Sequence, residues 1–233
     1  KIIVDNLIIG SGAGGSTTAN ELSKKNLDYL IIEEGIDPLS INSNDNIGQR
    51  VNKLYYNNGA TPMFCKSNGP LIGYGQGRCV GGSTFINAGY FSETPEHIFT
   101  KWINNDSISF SYSQYKSYIR ELKEEINISL VKKNPLDVDS NNIFNASKKL
   151  NWKINYCNRF ISDNDIKNIC PVNDSSCDIL NCKVHSKQNM NVTYLSNPIK
   201  NNKLINNLKV VKINTHNGNA TSVIAIDTIN KKS

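Results

Sequence analysis

Val4-Asp5-Asn6-Leu7-Ile8-Ile9-Gly10-Ser11-Gly12-Ala13-Gly14-Gly15-Ser16, with Tyr29-Leu30-Ile31-Ile32-Glu33 behind it, is the stretch that decides the fold. Val4, Leu7, Ile8 and Ile9 form an apolar run that stops at the glycines, and a polar-faced helix is expected over 16–25. Strand, turn and helix thus come in the order that a nucleotide-binding glycine turn needs. Gly10 allows the tight turn, Gly12 removes the side chain where backbone approaches a pyrophosphate, and Gly15 lets helix and strand pack closely. The start of the helix offers free N–H groups to phosphate oxygens. Residues 29–32 read as a second strand, and Glu33 at its end has the spacing of the carboxylate that receives ribose hydroxyls. A carboxylate there disfavours a 2′-phosphate, which makes NADP the least suitable ligand. The motif by itself leaves FAD and NAD open.

The chain has 233 residues, enough for one good core or two small ones. Its formal charge of +6 is spread in short pairs such as Lys24-Lys25, Lys132-Lys133 and Lys231-Lys232. Without a basic block, nucleic acid is not an expected partner. No apolar run reaches membrane-spanning length and no signal peptide is visible. Six cysteines do not make a disulfide scaffold, so a reducing, cytoplasmic setting is expected. The chain opens on Lys1 instead of Met, so its beginning is expected to be incomplete.

Beyond Gly35 a polar stretch runs to about Asn46, and an irregular segment carrying Gly59, Pro62, Gly69, Pro70, Gly73, Gly75 and Gly77 follows. Thr94-Pro95-Glu96 reads as a helix start. Tyr115, Ile119, Leu122 and Ile126 recur at helical spacing, which predicts an amphipathic helix over 113–127. A shorter helix is expected over 142–150. Strands are expected at 204–205, 208–213 and 221–229, with the turn His216-Asn217-Gly218-Asn219 between the last two.

Gly77-Arg78-Cys79-Val80-Gly81-Gly82-Ser83-Thr84-Phe85-Ile86-Asn87-Ala88-Gly89 is a second glycine site that a single nucleotide half-site does not require. Gly81-Gly82 permits close backbone approach, Ser83 and Thr84 can donate to phosphate, and Asn87 can pair with a polar ring edge. A packing role explains the glycines equally well.

With both sites in view, the chain resembles the N-terminal half of the glucose-methanol-choline (GMC) oxidoreductases, which bind FAD. The likeness rests on Gly10 to Gly15, on Glu33-Glu34-Gly35, and above all on Gly81-Gly82-Ser83-Thr84 with Asn87. It continues through Ser111-Tyr112, Phe144 to Trp152, and the cysteines Cys170, Cys177 and Cys182 leading to Val192-Thr193-Tyr194-Leu195. The resemblance implies an α/β, Rossmann-like FAD-binding domain with part of a helical substrate-side insertion, in a chain truncated at its C-terminal side. Its implied segments are 1–104 and 188–233 for the FAD-binding domain and 105–187 for the insertion. Gly10, Gly12, Ala13, Gly14 and Gly15 would cradle the pyrophosphate and Glu33 would hold the adenosine ribose. Arg78, Gly81, Gly82, Ser83, Asn87, Ala88 and Gly89 would run beside the phosphates and the flavin ring, and Val210 would meet the adenine through its backbone. Relatives with a covalent flavin carry a histidine near the second site; Phe85-Ile86-Asn87 has none, so non-covalent FAD is expected. Glu34, where relatives have a small residue, is expected at a surface.

The implied activity is oxidation of a small-molecule alcohol by hydride transfer to flavin N5, with oxygen, a quinone or a cytochrome as electron acceptor. A base near neutrality takes the hydroxyl proton. The family's catalytic histidine falls beyond Ser233. His97, His185 and His216 match no catalytic position, so no catalytic residue is assigned here and the chain alone is expected to be inactive. Cys170, Cys177, Cys182 and His185 fit no common zinc spacing, and no metal is expected. Two rival functions use the first turn as well. An NAD-linked or flavin disulfide reductase would recruit Cys177 and Cys182, and a non-catalytic dinucleotide-binding module would need neither.

Overall fold

The computed structural model describes residues 2–42, 44–65, 69–106, 109–126, 129–130, 138–155, 158–160 and 187–230. Cys157, Cys170, Cys177, Cys182 and His185 lie outside the described residues.

In chain order the first elements are β1 (Leu7–Ile9), α1 (Ala13–Lys24), β2 (Leu30–Ile32), α2 (Ile47–Leu54), β3 (Thr61–Phe64), β4 (Leu71–Tyr74) and α3 (Ser83–Ile86). They are followed by β5 (Tyr90–Phe91), α4 (Glu96–Asp106), α5 (Tyr112–Glu125), β6 (Ser129–Leu130), α6 (Val138–Lys149) and β7 (Asn158–Arg159). The last are α7 (Ser196–Lys200), β8 (Leu204–Ile205), β9 (Leu208–His216) and β10 (Asn219–Asp227). The described residues divide into two compact units: one holds those up to Ala88 and from Asn189 onward, the other those from Gly89 to Gln188.

In the first unit β1 and β2 pair in parallel, Leu7 with Leu30, Ile8 with Ile31 and Ile9 with Ile32, and β8 extends the sheet beside β2. A parallel pair needs a crossover, which α1 supplies. As the middle strand, β2 is buried along its whole length, hence the unbroken run Leu30-Ile31-Ile32 where a one-faced strand would alternate. Ala19 of α1 packs with Ile8, Tyr29, Ile31, Val80, Met190 and Leu195 to form the core. Asn26, in the left-handed conformation (φ 54°), ends the helix, and the Leu27 N–H donates to Leu22 O. The hairpin of β9 and β10 turns at Asn217 (φ 49°) and Gly218 (φ 79°), the positive angles that a two-residue hairpin demands.

Two features depart from the expected irregular segment. Residues 47–54 are helical because Asn46 and Gln49 form a reciprocal capping box and Val51 and Leu54 turn to one side. β3 and β4 form an antiparallel hairpin that the dense glycines and Pro62 concealed.

In the second unit β5, β7 and β6 form a small antiparallel sheet. α5 starts at a capping box of Ser111 and Gln114, one residue before the expected start. Phe99 of α4, 1% exposed, is ringed by Trp102, Phe110, Tyr112 and Tyr115 at centroid distances of 5.1–6.4 Å. Among the described residues no helix is long and apolar enough to cross a membrane.

Candidate functional site

The first glycine turn hangs from the sheet by its own backbone: Gly10 N–H donates to Ile32 O at 2.8 Å with Gly10 at φ 90°. A Cβ on Gly15 would lie 2.0 Å from Gly10 O, so helix and strand close on each other as expected of the third glycine. By contrast a Cβ on Gly10, Gly12 or Gly14 would meet nothing within 4 Å among the described residues. Gly12 caps α1 without a side-chain hydrogen bond, and the first turn of the helix holds no acid. Its positive end is therefore left for an anion.

Glu33 stands at the end of β2, 7% exposed. Its Oε2 accepts from the Ser11 N–H at 2.8 Å and the Ser11 hydroxyl at 2.7 Å, and its Oε1 accepts from the Gly35 N–H at 2.8 Å. A carboxylate has about four acceptor sites, so one of Glu33 is left for a ligand hydroxyl. Ser11 Oγ in turn accepts from the Gly81 N–H at 3.1 Å. Ser11, fully buried, thus ties the glycine turn, the acid and the second glycine site together, a role that nothing in its local sequence signals.

The second site lies directly on the first. A Cβ on Gly82 (φ 55°) would approach Gly12 Cα to 2.9 Å, and one on Gly77 would lie 2.5 Å from the Gly82 carbonyl carbon. Gly81 (φ 87°) rests against Asn191, whose Oδ1 is 2.1 Å from the Cβ position. Ser83 Oγ accepts from the Gly77 N–H at 3.0 Å, and Thr84 Oγ1 donates to Gly81 O at 2.6 Å.

Between the two sites opens a cleft of about 350 Å³. Of the residues read from the sequence as cofactor contacts, Gly10, Gly12, Ala13, Glu33, Gly82, Ser83 and Val210 line it. Gly14, Gly15, Arg78 and Gly81 are not among its lining residues, nor are Asn87, Ala88 and Gly89, of which Asn87 is exposed and Gly89 belongs to the second unit. The wall is completed by Ile9, Ile32, Gln76, Gly77, Thr84 and Leu208, and by Glu34 and Tyr56.

Glu34 corrects the sequence reading: its side chain is only 17% exposed and faces the cleft. Tyr56 Oη donates to its Oε2, while Lys209 Nζ and Arg78 Nε lie 3.3 and 3.8 Å from its Oε1. Burial and the neighbouring Glu34 carboxylate push the Tyr56 hydroxyl well above its ordinary pKa, which keeps it a donor. His97 and His216 are both exposed.

A GMC oxidoreductase family model matches residues 4–233. An uncharacterized GMC-type oxidoreductase of Sinorhizobium fredii is 27% identical over 227 residues, which is 97% of this chain and 43% of that protein. A long-chain-alcohol oxidase of Arabidopsis thaliana is 29% identical over 132 residues, covering 55% of this chain and 17% of the relative. Formate oxidase of Aspergillus oryzae superposes with a TM-score of 0.63 at 15% identity, over 97% of this chain and 42% of that structure. An FAD-dependent oxidoreductase of Chaetomium thermophilum gives 0.67 at 14% identity with the same coverage. The chain therefore spans less than half the length of these proteins. The match along nearly all of its residues places the chain in the GMC oxidoreductase family.

Proposed function

We propose that this chain is the FAD-binding portion of an oxidoreductase that oxidises an alcohol, a CH–OH donor. The observation that carries the proposal is a single cleft with side-chain-free backbone at Gly10 and Gly12 on one wall and the carboxylate of Glu33 on the same lining. The residues present fit the cofactor. The open positions at Gly10 and Gly12 admit a pyrophosphate to the backbone, and the start of α1, without a side-chain cap, supplies its N–H groups. Glu33 has an acceptor site for a ribose hydroxyl, and Leu208 and Val210 give an apolar wall for the adenine. When bound, FAD supplies a ring that accepts hydride from the donor carbon.

Ser11 holds Glu33 in place, and Gly82 and Ser83 line the cleft from the second site. Arg78, Gly81, Asn87 and Ala88 act as supports or as contacts to parts of FAD that extend beyond this cleft. With no histidine in Phe85-Ile86-Asn87, the flavin is held without a covalent bond. His97, His185 and His216 match no catalytic position of the family, and the hydroxyl proton is taken by a residue supplied in a protein of family length. The similarity to a long-chain-alcohol oxidase supports an alcohol as donor.

The test is an absorption spectrum of the purified protein reconstituted with FAD, followed by anaerobic addition of alcohols. Flavin that binds and stays oxidised in this chain, but bleaches in a protein of family length, is the expected result. Bleaching by an alcohol in this chain alone would overturn the assignment of the base, and absence of bound flavin would overturn the cofactor.

A further inference from the structure

The Glu34 cluster goes beyond the general requirements of a dinucleotide cleft. Glu33 and Glu34 are adjacent in sequence but differently employed. Glu33 is compensated by three hydrogen bonds from Ser11 and Gly35. Glu34 is compensated by two cations, Lys209 and Arg78, and by the Tyr56 hydroxyl. Both cations reach the edge of the cleft through Glu34: neither is a lining residue, but Lys209 Nζ and Arg78 Nε lie 3.3 and 3.8 Å from the carboxylate of Glu34, which is one. Among the described residues the buried Nε of Arg78 has no hydrogen-bond partner, so Glu34 offsets the charge of Arg78 without using that donor. Lysine beside a forked guanidinium is a combination that holds phosphate well.

We propose that Glu34 sets the ribose selectivity of the cleft by occupying Arg78 and Lys209, which would otherwise form a site for a ribose 2′-phosphate. With Glu34 in place, the cluster offers a phosphate one carboxylate to repel and two cations already engaged. Without it, the same edge carries two unopposed positive charges beside Glu33. The selectivity against 2′-phosphorylated ligands therefore resides in Glu34 as well as in Glu33. Tyr56 is a positioning residue: its hydroxyl donates to Oε2 while the cations lie on the side of Oε1. This proposal rests on the dinucleotide reading of the cleft.

The test is calorimetric titration of the flavin-free protein with ADP-ribose and with 2′-phospho-ADP-ribose, which differ only in the phosphate in question. The wild type should prefer ADP-ribose by about 30-fold or more. Glu34→Gln, nearly the same shape, should narrow that ratio by about tenfold or more through tighter binding of the 2′-phosphorylated ligand, with ADP-ribose changed less than about threefold. The gain should weaken as salt is raised and vanish when Lys209→Met is added. Tyr56→Phe, which loosens Glu34 without removing a charge, should move the ratio the same way by about threefold, and remains informative if Glu34→Gln misfolds. A ratio unmoved in both variants overturns the proposal. A wild type that binds neither nucleotide overturns the dinucleotide reading beneath it, an outcome distinguishable from the first.

Discussion

The two glycine segments of this cleft look alike in sequence and use glycine for opposite reasons. In the first turn, a side chain on Gly10, Gly12 or Gly14 would enter open space. In the second, side chains on Gly77, Gly81 or Gly82 would collide with backbone or with Asn191 at 2.1–2.9 Å. At Gly12 glycine thus leaves backbone bare beside the cleft, whereas glycine in the second segment serves the protein's own packing against Asn191 and the first turn. Gly10 and Gly15 mark the boundary, since they lie in the first segment yet serve the protein itself: Gly10 takes the left-handed φ of 90° that the turn needs, and a Cβ on Gly15 would lie 2.0 Å from the Gly10 carbonyl oxygen. Gly77 and Gly82 of the second segment pack against backbone and also line the cleft.

The comparison breaks most readily at Gly12. Gly12→Val should lower FAD affinity by about 100-fold or more, since a branched side chain would fill the approach to the turn. It should change the stability of the flavin-free protein by less than about 1 kcal/mol, because its Cβ meets nothing and its φ of −66° suits any residue. Equilibrium denaturation of flavin-free protein and flavin titration, run on the same preparation, check both halves. A large loss of stability would erase the distinction between the segments.

Gly81→Ala is the mirror experiment. The left-handed φ of 87° and the Asn191 contact should together cost roughly 2–4 kcal/mol of stability, read from urea denaturation of the flavin-free protein. Unchanged stability accompanied by lost flavin would reverse the roles assigned to the two segments.

Glu33→Ala sharpens the comparison, since Glu33 lines the cleft while Ser11 ties it to the second segment. FAD affinity should fall by about 1–3 kcal/mol through loss of a charge-assisted hydrogen bond. An affinity unaltered by the substitution would remove Glu33 from the ligand contacts and leave it only the tie to Ser11.

The smallest effect lies in the second unit and serves as a control. Hydrogen bonds from Lys116 and then Lys123 hold the Glu93 carboxyl below its ordinary pKa. Its contribution to stability is complete above the carboxylate pKa of the unfolded chain and is lost as pH falls through the depressed folded value. The melting-temperature gap between wild type and Glu93→Gln should therefore close below about pH 4, with FAD affinity at neutral pH unchanged. A gap that widens with acid would mean that the lysine pairs do not stabilise the carboxylate.

Much of this was readable in the chain because it was local. An apolar run, a glycine turn and a terminal acid describe β1, α1 and β2 without any distant partner, and Asn217-Gly218 announces its hairpin in the same way. The helix at 47–54 was missed although Asn46 and Gln49 carried the signal of its cap, since Ile47, Val51 and Leu54 are its only apolar residues. The hairpin of β3 and β4 was hidden because its strands are short and largely exposed, with Pro62 and Gly73 inside them. The site was less readable than the fold for a different reason: its ties are long-range. Ser11 meets Gly81 across 70 positions, and Glu34, expected at a surface, is drawn into the cleft by Tyr56, Arg78 and Lys209. No spacing rule joins such residues before the chain has folded. What the pattern marks is backbone that must stay bare; what the fold adds is which bare backbone faces a ligand.

The most direct test of that distinction is a titration of flavin-free wild-type protein with FAD, followed by quenching of flavin fluorescence. Saturable quenching at one FAD per chain, reversed by an excess of ADP, is the result required of a cleft built around the open glycines of the first turn. Folded protein that leaves flavin fluorescence unchanged would contradict it.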